Sequence, residues 1–89
     1  MRRDYTEEDI VFLRKFGENV RILRELAKLS QADLETDSKM SKNQIGRIER
    51  GEISTTITNL NNIAKALEVD IEDLFDPLPE PQLLDLFQT

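Results

Sequence analysis

Apolar positions in this chain recur at spacings of three and four and nowhere alternate over a useful length, so the pattern predicts helices and no sheet. Ile10, Leu13, Phe16, Val20, Leu23 and Ala27 form one such stripe, the buried face of a first helix. Thr6, followed by Glu7, Glu8 and Asp9, caps that helix and places negative charge in its first turn, where the helix dipole favours it. Gly17, inside the stripe, marks a candidate break or kink. A fourth helix is predicted after Thr56, with Ile57, Leu60, Ile63, Ala64 and Leu67 on one face. A fifth is capped by Asp70, with Ile71, Leu74 and Phe75 turned inward. Pro77, Pro79 and Pro81 then stop regular structure, because each lacks an amide donor and restrains the residue before it.

The second and third helices come from the stretch between Ser30 and Gly51. Ser30 precedes Gln31-Ala32-Asp33-Leu34, and Ser41 precedes Lys42-Asn43-Gln44-Ile45, so two serine caps stand 11 residues apart. Asp33 and Gln44, three residues beyond each serine, are placed to reach back to the caps. Only two helical turns and a tight bend fit between them. Two short helices joined in this way are a helix-turn-helix, whose second helix enters the DNA major groove.

Composition narrows the alternatives. Eighty-nine residues make one small domain with a single modest core. Cysteine and histidine are absent, which removes disulfides, thiolate nucleophiles and nearly every transition-metal site. No apolar run approaches the roughly 20 residues that cross a membrane, and Met1–Tyr5 lacks the apolar stretch of a signal peptide. The expectation is a cytoplasmic protein with no cofactor and no membrane partner. The net charge of −6 argues against a general nucleic-acid binder, but the charges are unevenly spread. Residues 68–89 hold seven acidic side chains and no basic one, whereas Lys39, Lys42, Arg47 and Arg50 face the single anion Glu49. Screening over about 8 Å lets one basic face persist on an acidic protein. Enzymatic function has little support: Asp70 and Asp73 already have a capping task, and Gly17, Gly46 and Gly51 are too scattered for a phosphate loop.

Ile22-Leu23-Arg24, Leu29-Ser30-Gln31, Leu34, Ile45-Gly46-Arg47-Ile48-Glu49-Arg50-Gly51, the run from Ile63 to Val69, and Leu74-Phe75 together resemble the Xre family, the Cro- and phage-repressor-like DNA-binding domains. The likeness covers residues 16–75. It implies an all-α, compact five-helix, lambda-repressor-like domain over residues 1–76, with helix 41–50 in the major groove and 77–89 as a proline-rich apolar tail. It further implies a transcriptional regulator, a repressor or autoregulator, that binds double-stranded operator DNA as a homodimer.

On matching positions, Gln31 resembles the family glutamine that contacts phosphate and braces the recognition helix. Ser41, Lys42, Asn43 and Gln44 open that helix, and Arg47 faces the same groove one turn on. Lys and Arg pair with guanine, while Asn and Gln pair with adenine. Arg50 and the amides near Thr56 suit phosphate contacts. Arg24 and Glu49 occupy the family's structural ion pair. Glu35 and Lys39 depart from the family pattern, standing where alanine and a turn glycine are usual; a left-handed lysine costs of order 1 kcal/mol. The same fold also serves antitoxins, whose acidic remainder grips a basic toxin, and controllers of restriction–modification genes. The tail residues Leu83, Leu84, Leu86 and Phe87 and the fifth helix are the candidate dimer surfaces.

Overall fold

The computed structural model describes residues 4–76; the boundary at residue 76, the tail 77–89 and its apolar side chains lie outside the described residues. Among the described residues four α-helices form: α1 over Glu7–Leu26, α2 over Gln31–Ser38, α3 over Gln44–Glu49 and α4 over Ile57–Leu67, followed by a 3-10 turn over Ile71–Leu74. Among the described residues no strand occurs.

Reciprocal caps fix where α1 and α2 begin. The Thr6 hydroxyl accepts from the Asp9 amide while the Asp9 carboxylate accepts from the Thr6 amide. Ser30 and Asp33 repeat the arrangement. The Thr56 hydroxyl accepts from the Asn59 amide at the head of α4. At the other ends, the chain reverses through a left-handed residue: Lys28 after α1, Lys39 after α2, Gly51 after α3 and Glu68 after α4. In each case the next amide bonds back over the last turn, as Met40 N does to Glu35 O.

Each element gives one apolar side chain with no accessible surface: Val20, Leu34, Ile45, Ile63 and Leu74. Burial of this kind stabilises by about 1.5–3 kcal/mol per side chain, so these five meet at the energetic centre of the fold. Phe16, Ile48, Leu60, Ala64 and Leu67 surround them. The α1 helix packs on α3, α2 packs on α3 and α4, and the 3-10 turn closes against α1 and α4.

Several features differ from the sequence expectations. The fifth helix is a single 3-10 turn, because Pro77 disfavours helical backbone at the residue before it and so curbs the element soon after Asp70. Its end is held instead by Asn19, whose buried side-chain amide donates to the Leu74 and Phe75 carbonyls at 3.1 and 3.3 Å. Gly17 does not break α1. It lets α1 and α3 touch, since a Cβ there would collide with the Ile48 carbonyl oxygen and lie 2.6 Å from that of Glu49. The third helix begins at Gln44, not at 41 or 42; Asn43 precedes it in a left-handed conformation, φ 71°, and Ser41 lies in the turn before. Ile57, at the outer edge of α4, is 76% exposed, and Phe75 is half-exposed, its ring set beside Phe16 and Phe12. Ala27, at the far end of the α1 stripe, is exposed as well.

Candidate nucleic-acid interface

The short α3 has two unlike sides. Ile45, Gly46 and Ile48 are buried, and Ile45 and Ile48 anchor the helix in the core. Gln44 is half-buried and Arg47 is exposed; three residues apart, they share a face away from that anchor. Lys42 and Asn43 are exposed in the turn immediately before. The left-handed backbone at Asn43 suits an Asn, whose short polar side chain tolerates it better than most. The result is a contiguous exposed polar arc from Lys42 to Arg47.

A polar clamp holds α3 to the rest of the molecule. Arg24, on α1, donates through Nε and Nη2 to the two carboxylate oxygens of Glu49, at 2.6 and 3.1 Å. Its Nη1 donates to the Leu29 carbonyl oxygen at 2.8 Å. The Gln31 amide, opening α2, donates to Glu49 Oε1 at 2.9 Å. One carboxylate thus ties the ends of three elements together. Its side chain is only 3% exposed and that of Arg24 12%, so this anion is withdrawn from the surface. The hydrogen bond to Glu49, opposed by burial, raises the Arg24 pKa and keeps the guanidinium charged. Gly46 makes room for the clamp: a Cβ there would press to 3.1 Å on Gln31 Oε1 and Arg50 Nη1.

Beyond α3, Gly51 takes φ 73° and turns the chain back, with the Gly51 amide bonding to Ile48 O and the Glu52 amide to Arg47 O. A Cβ at Gly51 would also approach Arg14 Cγ to 2.7 Å, so the turn requires glycine twice over. The reversal carries Glu52 beside the two exposed arginines. Arg50 Nε and Nη2 donate to it at 2.7 and 3.3 Å, and Arg47 Nε lies 3.9 Å away. This contact raises the Arg50 pKa above its ordinary value. Thr56, exposed, caps α4.

Lys42, Asn43, Gln44 and Arg47 are therefore neighbours, and Arg50 borders them at the end of α3. Gln31 meets α3 from below through Glu49. Ser41 sits at the start of the turn, its carbonyl accepting from the Gln44 amide. Sequence reasoning passed over Glu52 and Asn19. For Glu52 the signal was the arginine-glycine reversal, which returns a residue five positions after Arg47 to the same surface. For Asn19 it was a lone amide within an apolar stripe. No helix among the described residues is long and apolar enough to cross a membrane.

Comparisons with known proteins agree with this geometry. A helix-turn-helix family profile, HTH_3, matches residues 20–74. The restriction–modification controller protein C.AhdI from Aeromonas hydrophila is 35% identical in sequence, with a TM-score of 0.69 over 71% of this chain and 96% of that one. An HTH_3 family transcriptional regulator from Vibrio cholerae is 36% identical, with a TM-score of 0.72 over 85% of this chain and 42% of that one. A hypothetical transcription factor, NHTF, from Neisseria shares the fold with a TM-score of 0.69 at 24% identity, covering 84% of each chain. No curated protein matches by sequence. The chain belongs to the Xre/Cro-like helix-turn-helix family HTH_3 and is a DNA-binding transcriptional regulator.

Proposed function

We propose that this regulator is an operator-binding repressor or autoregulator that acts in the cytoplasm as a homodimer, not as an enzyme. The observation that carries the reading is the two-sided α3: an apolar side fixed in the core and an exposed polar arc opposite, with Glu49 drawn out of that arc. Lys42, Asn43, Gln44 and Arg47 face base edges in the major groove. Lys42 and Arg47 supply donors for guanine O6 and N7, and the Asn43 and Gln44 amides are suited to adenine. Ser41, Arg50 and Thr56 lie toward the phosphates and set register. Gln31 gives one amide hydrogen to Glu49 and has a second to offer a phosphate.

A controller of restriction–modification genes is favoured over an antitoxin, because this chain spans nearly all of one such controller at 35% identity. Selecting bound fragments from a random-sequence duplex pool would give the operator and its symmetry. Arg47→Ala should then cost about 1–3 kcal/mol at the selected site and relax the base preference there. Lys42→Ala should weaken binding and reduce its salt dependence. Parent-like binding by both folded variants would remove the α3 arc from the interface.

A further inference from the structure

Glu52 is an anion at the border of the one surface that should avoid anions, against the two arginines at the end of α3. Its carboxylate takes two hydrogen bonds from the Arg50 guanidinium, at 2.7 and 3.3 Å, in the forked geometry arginine also uses for phosphate. Arg47 Nε stands 3.9 Å from Oε1, the oxygen that also accepts from Arg50 Nη2. The three side chains are 58%, 51% and 42% exposed for Arg50, Arg47 and Glu52, so the grouping lies open to solvent and to an incoming strand. Exposed ion pairs are weak enough to be exchanged. The backbone holds Glu52 there, because the turn at Gly51 and the amide bond from Glu52 to Arg47 O fix its Cα against the end of α3.

We propose that the Glu52 carboxylate is an internal phosphate surrogate, occupying the Arg47–Arg50 fork in the free protein and suppressing binding to non-operator DNA. This rests on α3 being the DNA face. Non-specific association is supplied almost wholly by cations neutralising phosphates. Two cations committed to an internal carboxylate contribute less to it, and the carboxylate itself repels the strand. At the operator, Arg47 gains a base edge that non-operator DNA does not offer, and that gain offsets release from Glu52. The carboxylate therefore weakens wrong sites more than the right one, a specificity device that acts by repulsion. It also accounts for a basic recognition surface that carries its own anion on a protein of net charge −6.

The test uses the full chain, a duplex selected by the parent protein and a scrambled duplex of equal length, with dissociation constants measured across a salt series. Glu52→Gln keeps the side-chain shape and removes the charge; Glu72→Gln, at an exposed position of the 3-10 turn, removes one charge elsewhere. For Glu52→Gln, scrambled-duplex affinity should rise about tenfold, operator affinity about threefold at most, and the scrambled-duplex salt slope should steepen by about 0.9 for each phosphate gained. Glu72→Gln should leave the operator-to-scrambled ratio unchanged. Equal gains on both duplexes, the same ratio change from Glu72→Gln, or weaker operator binding by Glu52→Gln would each overturn the proposal. A parent protein unable to distinguish the selected duplex from the scrambled one would instead sink the DNA-face reading itself.

Discussion

Arg24 and Glu49 are unequally hidden, and that inequality sets the order of two mutational costs. Arg24→Ala would leave an anion 3% exposed with the Gln31 amide as its remaining hydrogen-bond donor among the described residues, a cost within the about 3–5 kcal/mol seen when a buried pair is broken. Glu49→Ala would leave a cation that is 12% exposed and still bonded to the Leu29 carbonyl, so it should cost less, about 3 kcal/mol. The double variant should cost less than the sum, and strict additivity in thermal melts would show no coupling between the two. Asp33 makes a different contribution. The Ser30 amide first, and its hydroxyl second, hold the Asp33 carboxyl below its ordinary 3.8. A depressed carboxyl adds stability above its unfolded pKa and loses it as pH falls through the folded one. The melting temperature should therefore lose this contribution only below about pH 3.8, and Asp33→Asn should flatten that acid limb. An acid limb identical to the parent's would mean that the cap contributes nothing through its charge.

At the level of elements, helix starts were legible and helix lengths less so. Thr6, Ser30 and Thr56 cap the helices their positions announce, because cap chemistry is local and needs no tertiary partner. The start of α3 was not legible, since nothing in Ser41-Lys42-Asn43 indicates that Asn43 turns left-handed and shifts the helix to Gln44. Nor did the apolar pattern distinguish a helix from one 3-10 turn over Ile71–Leu74. That outcome depends on Asn19, 55 residues distant, taking the Leu74 carbonyl. The helix ends leave measurable room for improvement. Lys39 holds φ 60° at a position where glycine would carry no Cβ penalty, so Lys39→Gly should stabilise by about 0.5–1 kcal/mol. For a domain of this size that is a rise of several degrees in melting temperature, readable by calorimetry. A lower melting temperature would mean that the lysine side chain contributes more than its backbone strain costs.

For the molecule as a whole, the proposed recognition face, α3 and the turn before it, offers about four side chains for base reading, too few to single out a site in a genome. The homodimer proposed above would supply the rest by two-fold pairing on half-sites about 34 Å apart, with the tail after Asp76 and the half-exposed Phe75 as candidate contacts. If the tail supplies the interface, a chain ending at Asp76 should sediment as a monomer where the full chain dimerises. Equal dimerisation by both would place the interface elsewhere on the domain. The exposed polar surface around α3 was legible from the sequence, because the Ser30 cap and the Ile45–Ile48 spacing are local. The anion within it was not, because Glu52 joins the arginines only through the reversal at Gly51. The contact at Gly17 carries one more consequence. With α1 laid directly on the carbonyls that end α3, and Glu49 tied to two other elements, the reading head has no room to tilt. A docking partner without compliance passes the work of adjustment to the duplex. Base steps that bend cheaply, such as TA and CA/TG, would then be enriched between the half-sites of selected operators, where no side chain reaches them.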